Sequence, residues 1–255
     1  MADIIDYKIY GDDMQLVEIE LDPQEGVRAE VGALMYMDND IVMQTKVEGG
    51  IFKGFKRAIV GESFFITNFV NSGSGKNRVA FSAPYPGKII PVNLIDFNSK
   101  FICQKNSYLC SANGIEITIQ FVKKFGAGLF GGEGFILQRL EGNGMAFIHA
   151  GGTIVEKFLE PGETLRVDTG CVVGFSTTVD YDINFVGGFK NALFGGEGIF
   201  LIQLTGPGKV YLQSLPFSRL ADRVLQAAHF TSKDESRNIS RGFIGGLLMM
   251  IKDFK

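Results

Sequence analysis

Three glutamates, Glu62, Glu133 and Glu197, sit in matching surroundings: FKRAIVGESFFITNFVNSG, GAGLFGGEGFILQRLEGNG and KNALFGGEGIFLIQLTGPG. Three carboxylates gathered at one place would supply the oxygen ligands that a hard cation such as Ca²⁺ or Mg²⁺ takes. The structural alternative is that each carboxylate accepts hydrogen bonds from loop N–H groups and fixes a glycine-rich turn. Val60 and Ser63 stand in the first loop where the other two carry glycine, so its path differs, which favours the structural role. A metal-dependent enzyme using Glu62, Glu133 and Glu197 is therefore kept as an alternative, and it lacks histidine ligands. His149 and His229 each stand without a second ligand, and no Ser-His-Asp, Cys-His or HExxH arrangement is present. The expectation is no catalytic residue and no cofactor.

The approaches to the three loops are basic and aromatic: Phe52, Lys53, Phe55, Lys56 and Arg57, then Lys123, Lys124 and Phe125, then Phe185, Phe189 and Lys190, with Phe130 and Phe194 at the tips. On one face, Phe55, Lys56, Phe130, Phe189, Lys190 and Phe194 would form an aromatic rim with lysines. Aromatic insertion and lysine attraction to anionic lipid reinforce each other, so such a rim suits peripheral membrane contact. It suits a protein interface equally. The structural alternative has the phenylalanines plugging the ends of sandwiches while the lysines are solvated. Gly73-Ser74-Gly75-Lys76 has the look of a phosphate loop, but nothing matches GxxxxGK[ST], and the stretch reads as a hairpin insertion.

The elements that position these loops repeat with them. Superposing the glutamates aligns Phe64, Phe135 and Ile199; Phe65, Ile136 and Phe200; Ile66, Leu137 and Leu201; and Phe69, Leu140 and Leu204, with Gly73, Gly144 and Gly208 closing the copies. A second recurring stretch precedes each motif and has Gly32, Asn106 or Gly170 at a turn position, read as a site of positive φ. Internal repetition of this kind outranks other signals of fold. The units run over 14–83, 84–150 and 151–215, with a different tail over 216–255, all in one compact body.

Alternation and turn signals predict strands near 14–21, 27–31, 34–38, 41–48, 62–70, 78–83, 88–94, 101–104, 107–112, 115–122, 134–141, 145–149, 153–159, 164–168, 171–176, 178–185, 198–205 and 209–214. Short strands at this spacing mean a sandwich or barrel. The strand after each Gly-Glu is apolar on both faces, so both faces should be covered, and Phe65, Ile136 and Phe200 should be buried. Helical spacing of Phe217, Leu220, Ala221, Val224, Leu225 and Ala228 predicts a helix over 217–229, packed through Leu220, Val224 and Leu225. A polar stretch over 231–241 then leads to an apolar tip, Phe243 to Ile251, expected to dock on a neighbouring subunit.

Composition narrows the function classes. The chain has 255 residues, a net charge of -3 and no Trp, and its 33 glycines are about twice the usual share. The acidic balance argues against nucleic acid as a partner. Cys103, Cys110 and Cys171 are an odd set without metal spacing, which fits a reduced, cytosolic compartment. The start of the chain, MADIIDYKIYGDDM, does not read as a secretory leader, and the run from Phe243 to Ile251 is too short to cross a bilayer.

LFGGEG paired with TGPGKVYLQSLPFSRLADR, together with Glu30-x-Gly32-Ala33-Leu34-x-x-Met37, resembles the altered-inheritance-of-mitochondria family over residues 14–228. The resemblance implies a fold like the tryptophan RNA-binding attenuation protein: all-β, three tandem homologous β-sandwich or double-stranded β-helix-like modules around a pseudo-threefold axis, here with one C-terminal helix added. It implies cytosolic bacterial members of unassigned activity and a eukaryotic relative associated with the mitochondrial inner membrane, and it brings no catalytic residue. The expected function is a non-catalytic scaffold or interaction protein, cytoplasmic or peripheral to a membrane, with protein partners or self-association. An RNA- or small-ligand-binding module is the other alternative.

Overall fold

A computed structural model describes residues 2–44, 66–123, 134–186, 199–225 and 227. The chain divides into two compact units, Met1–Pro216 and Phe217–Lys255. The first is built from antiparallel strands, and alternation explains them locally. In β2 (Leu16–Leu21), LVEIEL buries Val17, Ile19 and Leu21 and leaves Glu18 and Glu20 partly exposed.

The element order recurs. After β1 (Asp6–Tyr10) come β2, β3 (Gly26–Glu30), a 3-10 turn over Val31–Ala33, β4 (Leu34–Met37), β5 (Ile41–Gln44), β6 (Ile66–Asn71) and β7 (Asn77–Ser82). The same sequence follows as β8 (Gly87–Asn93), β9 (Lys100–Gln104), a 3-10 turn over Lys105–Ser107, β10 (Tyr108–Ala112), β11 (Glu116–Lys123), β12 (Phe135–Glu141) and β13 (Met145–Gly151). Between β8 and β9 it has an added 3-10 turn, Leu94–Phe97. It then runs β14 (Ile154–Leu159), β15 (Thr164–Asp168), a 3-10 turn over Thr169–Cys171, β16 (Val172–Ser176), β17 (Asp180–Val186), β18 (Ile199–Thr205) and β19 (Gly208–Gln213).

The sheets cross the boundaries of the sequence units. One six-stranded sheet has the order β5-β6-β3-β10-β13-β8, and a second has the corresponding order β11-β12-β9-β16-β19-β14. Each therefore joins three strands of one stretch to three of the next. The remaining strands form a three-stranded sheet, β15-β18-β17, and a four-stranded sheet, β1-β2-β7-β4. One buried cluster spans β2, β3, β6, β7, β8, β10 and β13; a second is formed by residues such as Leu137, Val172, Phe175, Ile202 and Leu204. Phe69, Leu140 and Leu204, aligned by the repeat, are all fully buried.

Several expectations are corrected. Gly32, Asn106 and Gly170 are the middle residues of the 3-10 turns and do not have positive φ, because a 3-10 turn keeps φ negative. Left-handed backbone is instead found at Gly142 and Gly208, in the hairpins that close the second and third motifs. Ile136 is buried, but Phe200 is only partly so, and Phe65 lies outside the described residues. The helix is present over 217–225, yet Val224 and Leu225 are exposed. Helical spacing predicts an apolar face and says nothing of what covers it. Residues 231–241 and the tip from Phe243 to Ile251 lie outside the described residues, as do the three Gly-Glu loops.

Candidate functional site: two open strand edges

Glu62, Glu133 and Glu197, and the loop residues Phe55, Lys56, Phe130, Phe189, Lys190 and Phe194, all lie outside the described residues, and nothing in the geometry speaks for or against them. Among the described residues no group of three or more His, Cys, Asp or Glu side chains is disposed to hold a metal ion. His149 is buried in β13 with its ring edge-on to Tyr85 at 4.4 Å. Burial pushes its pKa down to about 4, with the Tyr85 backbone opposing the shift, so it is a neutral core residue at physiological pH. Burial also raises the Cys103 thiol to about 12 and carries Cys110 well above its ordinary range. A nucleophilic thiol needs the opposite shift.

The feature that stands apart is an unequal treatment of corresponding strands. Strand β10 pairs with β13 on one side and β3 on the other, and β16 pairs likewise with β19 and β9. Strand β4 occupies the same place in the element order but pairs with β7 alone among the described strands. Its counterpart is β15, which among the described strands pairs with β18 alone, whereas β3 and β9 each have two neighbours. Among the described strands, two edges of matching kind are left open.

Local geometry makes the correspondence exact to the residue. A register shift falls between Tyr108 and Cys110, between Val172 and Gly174, and between Leu34 and Tyr36. Each shift lies two residues after the centre of the preceding 3-10 turn. The residue inside the bulge is Leu109, Val173 or Met35. Leu109 is 2% exposed and Val173 0%, while Met35 is 56% exposed. Tyr36 and Met37 are exposed as well, and beyond the turn 38–40 so are Val42 and Met43 of β5. Exposed sheet edges are ordinarily blunted by charge, proline or bulges that turn the edge away. This one has a bulge but offers methionine and tyrosine.

The sheet that carries β4 is polar on its outer surface. Glu18 accepts hydrogen bonds from the hydroxyls of Tyr10 and Tyr36, and the Glu18 carboxylate holds the Tyr36 hydroxyl up to about 12. Lys76 and Arg78 both reach Glu20, at 2.8 and 2.9 Å, and hold its carboxyl below the usual range. These exposed pairs orient side chains and contribute little to stability.

A family model described as mitochondrial biogenesis AIM24 matches residues 7–215. The chain belongs to that family. An uncharacterized protein of Streptococcus pyogenes serotype M6 is 30% identical to this AIM24-family chain over 214 residues, covering 81% of this chain and 84% of the relative. A crystal structure of a Streptococcus pyogenes protein, a structural genomics target, superposes with a TM-score of 0.71 at 25% identity, over 88% of this chain and 99% of that one. No helix among the described residues is long and apolar enough to cross a membrane.

The open edges were not foreseen from sequence. LMYM in β4 alternates no differently from YLCSA in β10 or VVGFS in β16, so nothing in the strand itself says that its neighbour is missing. The one available signal was Met35, Tyr36 and Met37 following one another with no charge among them.

Proposed function

We propose that this AIM24-family chain is a non-catalytic scaffold or interaction protein, a body of three repeated β units that works through its surface in the cytoplasm or at the periphery of a membrane. The observation that carries the reading is the strand edge at β4, with Met35, Tyr36 and Met37 exposed. A strand edge offers unpaired backbone donors and acceptors, and it recognises partners by adding a strand. Methionines adapt to the partner's shape. The recurring element order and the shared plan of the two six-stranded sheets support the repeated units.

The test is the solution mass of the purified chain across a range of concentrations, by light scattering, with flotation on anionic vesicles run in parallel. The expected result is association with itself or with vesicles that Met35→Lys with Met43→Lys reduces. A chain that stays monomeric, binds no vesicle and is unaffected by those substitutions would contradict the reading.

A further inference from the structure

We propose that the C-terminal unit, Phe217–Lys255, binds anionic lipid surfaces, with the apolar face of its helix entering the headgroup boundary at Val224 and Leu225. The proposal rests on the reading above, of a chain that works through its surface, and names one partner and the unit that meets it.

This unit lies beyond the family match, which ends at residue 215, so family membership says nothing of it. It differs from the rest of the chain in charge. The whole chain has 25 Lys and Arg against 28 Asp and Glu, and Phe217–Lys255 holds seven against four. The unit is therefore net +3, while the residues before it are net -6. Near an anionic surface the first part is repelled and the second is attracted. That attraction accumulates over Lys and Arg close to the surface and is screened by salt.

The helix has the matching form. With about 100° between successive residues, Phe217, Leu220, Ala221, Val224 and Leu225 share one side, and Arg219, Asp222 and Arg223 share the other. Phe217, Val224 and Leu225 are exposed, and Leu220 and Ala221 are half-buried. A helix with arginine on its polar face and no charge on its apolar face lies in the plane of a membrane interface. At 217–225 it is far too short to cross a bilayer, so the contact is interfacial. The sequence beyond it pairs apolar and basic residues again: the run from Phe243 to Ile251 holds no charge and is bracketed by Arg241 and Lys252. Interfacial binding grows with the apolar area buried and with attraction to anionic lipid. A bilayer with anionic headgroups answers both features at once, with charge at its surface and hydrocarbon beneath.

The test is flotation of the full chain on vesicles of phosphatidylcholine alone and of phosphatidylcholine mixed equally with phosphatidylglycerol. Two variants are compared with the unsubstituted chain: Val224→Gln with Leu225→Gln in the helix, and Met35→Lys with Met43→Lys at the strand edge. Both helix positions are exposed, so the denaturant midpoint of the helix variant should be unchanged, which separates lost docking from lost folding. The unsubstituted chain is expected to float with the mixed vesicles, and roughly tenfold less with phosphatidylcholine alone. The helix variant should float roughly tenfold less with the mixed vesicles, and the strand-edge variant at least as well as the unsubstituted chain. If the helix variant floats undiminished, or if no vesicle holds the unsubstituted chain, the proposal is overturned. Self-association that Met35→Lys with Met43→Lys reduces would then still support the reading above. If the helix variant loses flotation while the strand-edge substitutions change neither self-association nor flotation, the proposal stands and β4 no longer carries that reading.

Discussion

Strands β12 and β18 follow the same Gly-Glu motif with similarly apolar residues, FILQRLE and IFLIQLT, yet their surroundings differ. In β12, Phe135, Ile136, Leu137 and Gln138 are buried in succession, so both faces are covered. In β18, Ile202 and Leu204 are buried, while Phe200, Leu201 and Gln203 are only partly so. Beyond β12 and β9 lie three further strands, β16, β19 and β14; beyond β18 and β15 no further strand is paired among the described residues. A run that is apolar on both faces therefore marks surface built to be covered, and whether it is covered depends on strands far away in the chain.

The largest expected effect separates the covered sheet from the open one. Phe135→Ala should cost about 3–5 kcal/mol and Ile136→Ala about 2–5 kcal/mol, because each empties a fully packed place. Phe200→Ala, at the place aligned with Ile136, should cost roughly 1–2 kcal/mol despite the larger side chain, since less of it leaves water. Denaturant midpoints measure all three, and equal losses at Ile136 and Phe200 would break the comparison. The same contrast holds at the bulge. Leu109→Ala should cost about 2–5 kcal/mol, and Met35→Ala in the dilute chain about 0.5 kcal/mol or less.

Acid sharpens the comparison, since the sheet completed by β10 and β13 contains the buried His149. Its folded pKa of about 4 lies below the ordinary value of 6.5, so the folded chain favours the neutral ring. The stability this gives is complete above pH 6.5 and is lost as the pH falls from there through about 4, by up to roughly 3 kcal/mol. His149→Phe should flatten that part of the profile. A wild-type midpoint that is constant from pH 7 to pH 4 would remove His149 from the account. The smallest effect is expected at Glu20→Gln, on the exposed face, where any difference in midpoint should vanish in high salt.

Much of the fold was readable one strand at a time. Alternation in LVEIEL and turn residues such as Asn113-Gly114 locate strands because those signals are local. β1 was not foreseen: DYKIY carries only a short apolar alternation and its place depends on pairing with β2. The 3-10 turns were read as simple turns because a small residue at Gly32, Asn106 and Gly170 looks the same in either. Partner choice was not readable at all. Register and neighbour are set by strands dozens of residues away, and LMYM does not say whether β15 lies beside it. The same limit applies to the C-terminal helix, whose Val224 and Leu225 predicted a buried face and are exposed.

The central claim is that β4 presents an exposed strand edge through which the chain meets its partners, while the corresponding β10 and β16 have a strand on each side. Amide hydrogen exchange read at Tyr36 and Met37, beside Ser111 and Phe175, tests it directly. The account predicts fast exchange at β4 in dilute solution and slow exchange at β10 and β16. Equal protection of all three strands would contradict it.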